Sequence, residues 1–253
     1  MRNLPIVASL FAALVLSACG VGEITGPGPG PGGNGGDGPD ARPATSPGPD
    51  AQQSFAVAVT SPTTATTLGT EVHYTATISS TNFAGLVALN PTGAPASWTV
   101  TVEPAQLQVP LDGSITADIK VVIPSDTPDL TGTIGVSAFG TPGTQTASGP
   151  ALTVTNRYDI TIAAGTAAGD HHLPPRVELR LGATLRVIDA DATAGVAHRV
   201  HSDSGGSGFP HQDADMASGD HYDVTPTETG SFKWYCHIHG QAQNGDNSNL
   251  VIK

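Results

Sequence analysis

Residues 233–245 read "KWYCHIHGQAQNG". They place a thiol, Cys236, beside His237 and three residues before His239. A deprotonated thiol is a soft metal ligand and a strong nucleophile, and imidazole is the commonest nitrogen ligand in proteins. The chain has 2 Cys, and the other, Cys19, lies near the start. Eight of the 9 histidines fall between His171 and His239. A histidine-rich segment with one thiol points to a metal before it points to a disulfide.

Strand periodicity selects among these histidines. In "GVAHRVHS" the alternation puts Val196, His198 and Val200 on one face, and Ala197, Arg199 and His201 on the other. In "GSFKWYC", Phe232, Trp234 and Cys236 share a face, opposite Ser231, Lys233 and Tyr235. The apolar company of His198 and Cys236 predicts that both point inward. His239 follows at the start of a Gly-, Gln- and Asn-rich turn. A one-residue slip in register would exchange His198 for His201, so His201 stays open as the alternative first ligand. One thiolate with two imidazoles suits copper, and trigonal His2Cys with a weak axial ligand is an electron-transfer arrangement.

The elements that must position these groups are strands. Tyr158, Ile160 and Ile162 alternate, as do Val177, Leu179 and Leu181; Gly182 marks a turn, and Leu185 and Val187 open the next strand. "NLVIK" closes the chain as a further strand. Upstream, Val72, Tyr74, Ala76 and Ile78 alternate with Glu71, His73, Thr75 and Thr77, and Ile115, Ala117, Ile119 and Val121 with Thr116, Asp118 and Lys120. Shorter alternating runs lie at 55–59, 98–102, 134–138 and 152–154. Turn residues separate all of them, and no useful helical period follows residue 20. The expected class is all-β, with two β-sandwich domains at 54–155 and 156–253. The first domain's pattern resembles immunoglobulin-like modules. Its one histidine, His73, sits on the polar strand face and reads as a solvated surface residue.

Ahead of the sandwiches, residues 20–53 are dominated by Gly and Pro and predict an extended tether without a core. Residues 1–19 read as an export signal: Arg2 is followed by an apolar run over 4–16, too short to span a bilayer. The run ends in Leu16-Ser17-Ala18-Cys19-Gly20, which resembles the lipobox of bacterial lipoproteins, where the cysteine is lipidated. Lipid on Cys19 would anchor the chain to a membrane, since each buried methylene contributes about 0.8 kcal/mol. It would also leave Cys236 without an intramolecular partner in an oxidising compartment. The expected location is therefore the bacterial cell envelope, at the outer membrane or the periplasmic face.

Residues 157–253 resemble a cupredoxin, the plastocyanin and azurin family. The resemblance rests on "VELRLGATLRVIDADATAGVAHRV", with its His-x-Val ending, and on "GSFKWYCHIH", which is similar to the family's Gly-x-Phe/Tyr-x-Tyr-Cys-x-x-His segment. It implies a Greek-key sandwich with one copper per chain, held by His198, Cys236 and His239. Two departures stand out. The loop "GQAQNGDNSN" lacks the Met that often follows the second histidine; Met216 falls earlier, before the strand around Tyr222, and is expected far from the site. The axial position then goes to Gln241 or Gln243, to a backbone carbonyl, or to water or nothing. Arg199 stands where the family often has an Asn that ties the ligand loops together, which puts that tie in question.

Multicopper oxidases use a histidine after the cysteine for a trinuclear cluster, but there another precedes it; here Tyr235 does, and His237 reads as solvent-facing. His171, His172, His211 and His221 read as loop or edge residues in no zinc spacing. The net charge of -12 and the absence of any basic stripe exclude nucleic acid as a partner. The function expected is single-electron transfer between redox partner proteins, which the sequence does not identify. The alternatives are copper binding or buffering without a redox partner, and a subunit of a copper enzyme; an electron carrier is favoured over an enzyme.

Overall fold

The computed structural model describes residues 52–163, 176–193, 195–202, 208–239 and 249–253. The signal segment, Cys19, the tether, His171, His172, Gln241 and Gln243 lie outside the described residues. Residues 47–253 form one compact unit. Among the described residues every regular element is a strand, as the alternation predicts.

The strands are β1 (Ser54–Thr60), β2 (Ala65–Leu68), β3 (Glu71–Thr81), β4 (Gly85–Thr92), β5 (Thr99–Glu103), β6 (Gln106–Val109), β7 (Ser114–Val122), β8 (Thr131–Gly140) and β9 (Gly143–Ile162). They continue with β10 (Arg176–Leu179), β11 (Thr184–Asp189), β12 (Val200–Ser202), β13 (His221–Val224), β14 (Gly230–Cys236) and β15 (Asn249–Ile252). One sheet runs β1-β3-β7-β5 and another β10-β15-β14-β12. The third, β13-β11-β9-β8-β4-β6 with β2 also on β9, extends through both halves of the unit.

Burial follows the period of two. In β3, Val72, Tyr74, Ala76 and Ile78 are buried while Glu71, His73 and Thr75 are exposed. In β14, Phe232, Trp234 and Cys236 are buried while Ser231 and Lys233 are exposed. These stripes meet in one contiguous apolar core that includes Tyr74, Ile134 and Leu152 in the first half and Leu185, Trp234 and Leu250 in the second.

The boundary drawn between residues 155 and 156 falls inside β9, which crosses it without interruption. Its first part pairs with β8 and β2, and its last part runs parallel to β11. The register of β2 shifts between Thr67 and Leu68, so that Leu68 faces Tyr158. Gly69 follows with φ of +72°, and a Cβ there would lie 2.1 Å from the Tyr158 ring. Only glycine combines that left-handed backbone with such close approach. Across the same seam Lys253 reaches Asp126 at 2.8 Å and also Glu178, while the Ser125 hydroxyl donates to the Glu178 carbonyl.

Candidate metal centre

The site is built where β14 ends. β12 and β14 pair antiparallel with Val200 opposite Cys236, His201 opposite Tyr235 and Ser202 opposite Trp234. Directly opposed residues share a face, so Val200 and Cys236 point to the core together, and His201 and Tyr235 point the other way. Cys236 is 2% exposed and is a free thiol. Trp234 lies beneath it against Phe209, their rings 6.3 Å apart edge to face.

His198 precedes β12 and is held by its own ladder. Its N–H donates to the Met216 carbonyl at 3.3 Å, and the Met216 N–H donates back at 2.7 Å. His198 is fully buried. Its Nδ1 lies 3.9 Å from Cys236 Sγ, and its Nε2 lies 3.3 Å from Asp191 Oδ2. His239, half-buried in the turn after β14, brings its ring centroid to 4.9 Å from that of His198. One donor atom from each of His198, Cys236 and His239 lies within 4.8 Å of the others.

Asp191 is placed by the turn that follows β11. Its N–H donates to Asp189 Oδ1 at 2.9 Å, and the Thr193 N–H donates to Asp191 Oδ1 at 3.0 Å. Two successive Asx turns of this kind fold "DADAT" back on itself. They leave Asp191 Oδ2 aimed at the buried imidazole. A carboxylate on one ring nitrogen fixes the tautomer and turns the other nitrogen toward the thiol. Asp191 is itself only 1% exposed, so this is an interior interaction rather than a surface pair. Asp189 is buried too, and its Oδ2 has no hydrogen-bond partner among the described residues.

The arrangement passes a geometric test for a metal. A sulfur at about 2.3 Å and a nitrogen at about 2.0 Å from one ion, at roughly 120°, stand about 3.7 Å apart. The Sγ to Nδ1 separation is 3.9 Å. The donor set is one thiolate and two imidazoles, which suits copper or zinc. Burial lowers the pKa of His239, and the proximity of His198 adds to the effect while Asp191 opposes it. The lowered pKa keeps the imidazole neutral and able to donate its lone pair.

Several expectations look different against this geometry. Met216, expected far from the site, is the backbone partner of His198 and is 1% exposed. The segment from Gly208 onward returns beside His198 before β13, a fold-back that local periodicity does not encode. The tie feared lost at Arg199 runs through the main chain: the Arg199 N–H points at Cys236 Sγ at 3.5 Å, and its carbonyl accepts from the His237 N–H at 2.8 Å. The Arg199 side chain instead pairs with Asp215. His201, the alternative first ligand, lies on the opposite face of the β12–β14 ladder, against His211 and His237. His221 is exposed at the start of β13. Asp191 went unnoticed in the sequence, although the Asp-x-Asp-x-Thr spacing is a turn signature that could have marked it.

No family model matches the chain, and no curated protein matches it. Among solved structures, a purple cupredoxin from Nitrosopumilus maritimus is similar at 19% identity, over 38% of this chain and 98% of that one, with a TM-score of 0.29. An amicyanin from Paracoccus versutus is similar at 18% identity, over 38% of this chain and 81% of that one, with a TM-score of 0.29.

Proposed function

We propose that this chain is a membrane-tethered, mononuclear type 1 copper protein that carries single electrons between partners outside the cytoplasm. The observation that carries the reading is the convergence of His198, Cys236 and His239 on one point, with the thiol buried and not in a disulfide. Bound copper would supply a one-electron Cu(II)/Cu(I) couple.

The chain's own residues would do the rest. Cys236 supplies the soft, negatively charged donor. The Arg199 N–H, aimed at its sulfur, stabilises that charge. Asp191 holds the His198 ring by Nε2, so that Nδ1 is the nitrogen left for the ion. Val200, Trp234 and the paired backbones of β12 and β14 surround the thiol with strands that cannot rearrange independently. A site fixed in this way changes little when its charge changes, which favours fast transfer. His239 is half-buried, and Ile238 beside it is 43% exposed, so solvent and any partner approach the centre from this side.

Gln241 or Gln243 would supply a further, weak donor to the ion, ahead of a backbone carbonyl or water. Lipid on Cys19 and the 20–53 tether would hold the unit at the bacterial cell envelope, with unidentified redox proteins as donor and acceptor. Cu(II) added to the purified full chain is expected to give an intense visible thiolate-to-copper band and a matching electron paramagnetic spectrum. A colourless product, or a band that persists in Cys236→Ala, overturns the assignment. Reversible voltammetry with one thiolate-bound copper per chain supports a carrier. A bound but redox-silent copper supports a buffering role, and two coppers in electronic contact support an enzyme subunit. Membrane partitioning lost in Cys19→Ala tests the anchor.

A further inference from the structure

His201, His211 and His237 come from three separate segments and meet outside the centre just described. The His201 and His211 rings are 4.3 Å apart between centroids and nearly perpendicular. The His201 and His237 rings are 4.2 Å apart at 36°. Tyr235 lies on the same side, 5.8 Å from His201. Each histidine is held in place by the main chain. His201 sits in β12, paired with Tyr235. His211 is delivered by a loop locked to β12: the Gln212 N–H donates to the Val200 carbonyl at 3.0 Å, and the Val200 N–H donates to Gln212 Oε1 at 2.9 Å. His237 is fixed by its N–H to the Arg199 carbonyl.

We propose that His201, His211 and His237 form a second metal-binding site, on the face of the β12–β14 ladder opposite Cys236, for an imidazole-preferring divalent ion such as Zn²⁺ or Cu²⁺. Three imidazoles without a thiolate are a nitrogen-only donor set, and this class of ion favours it. As cations the three rings would repel one another, and as neutral imidazoles each keeps one nitrogen able to bind an ion. Burial and the neighbouring His211, His237 and Arg199 all lower the pKa of His201, while a hydrogen bond to the backbone of Gln212 pushes the other way. That backbone contact also orients the ring, as outer partners of metal-bound histidines do. Among the described residues only the Cys236 centre already has its donors within 4.8 Å of one another, so closing the triad on one ion requires the exposed His237 ring to turn.

The test uses Zn²⁺ on the full chain in the Cys236→Ser background, which removes the thiolate. Calorimetry is expected to record one Zn²⁺ per chain, with the His201, His211 and His237 imidazole signals moving together in the nuclear magnetic resonance spectrum. His237→Asn changes an exposed side chain and leaves the core intact. It is expected to weaken binding more than about tenfold, the scale set by loss of even an outer partner. His201→Asn with His237→Asn is expected to abolish it. The proposal is overturned if no Zn²⁺ binds, if these variants leave the affinity unchanged, or if His171→Asn with His172→Asn removes the binding instead. The visible band of the copper-loaded wild-type chain reports on the Cys236 centre separately, so failure of one site is not failure of the other.

Discussion

His73 in the first half of the unit and His198 in the second each face an aspartate, yet only His198 belongs to the candidate metal centre. His73 lies on the solvent side of β3, its Nδ1 2.9 Å from Asp118 and its Nε2 3.1 Å from Glu71. Both nitrogens are engaged by carboxylates, and all three side chains are exposed to solvent. His198 is fully buried and gives one nitrogen to Asp191 and the other to the space beside Cys236. The residue pair is the same. The strand face and the third neighbour differ, and they separate a surface ion pair from a buried imidazole held beside a thiol.

The sharpest way to break this comparison is to remove the third neighbour. Cys236→Ser is expected to abolish the visible thiolate band entirely, whereas Asp118→Ala beside His73 leaves it unchanged; absorbance of the copper-loaded proteins decides. Next in size is a change in the strand both halves share. Leu152 in β9 is fully buried. Leu152→Ala is expected to cost about 2–5 kcal/mol. Because β9 pairs with β8 and β11, denaturant unfolding should shift in both halves together; two separate transitions, one of them unmoved, would refute the coupling.

Asp191→Ala is expected to weaken metal binding by about 10- to 100-fold, the usual effect of losing the carboxylate behind a ligating histidine. Competition with a chelator measures it, and Asp118→Ala serves as the matched surface control. Asp191→Asn should fall between the two, since the amide keeps one contact to the ring. The smallest effect belongs to His73. Hydrogen bonds to Asp118 and then Glu71 raise its pKa. Protonation is thus favoured in the folded chain. The stabilisation is fully present below the unfolded pKa and is lost as pH rises through the raised folded value. The group is fully solvated, so the change in stability is slight, but the His73 titration midpoint should fall toward the ordinary histidine range in Asp118→Ala.

Much of the fold was legible because strands carry a period of two that survives in the residues. Val72, Tyr74, Ala76 and Ile78 on one side, and Phe232, Trp234 and Cys236 on the other, are buried as their alternation requires. The three side chains that converge were legible for the same reason, since phase separates His198 from His201 and a Gly-, Gln- and Asn-rich turn begins at His239. What stayed hidden depends on contacts between distant segments. β9 looks like the end of one domain and the start of another because Asn156 interrupts its apolar stripe, yet the strand continues through it. Met216 and Gln212 look like loop residues, yet both pair with the segment around His198 and β12.

The sequence by itself determined the all-β class, the inward thiol and the candidate ligands, because side-chain alternation is a local consequence of backbone geometry. Tertiary structure alone decided that Asp191 would stand behind His198, that the Arg199 main chain would meet the sulfur, and that His201, His211 and His237 would gather on the far face. Those meetings join residues from different strands and loops. Their separation in space follows from how the sheets pack, and no local pattern records it.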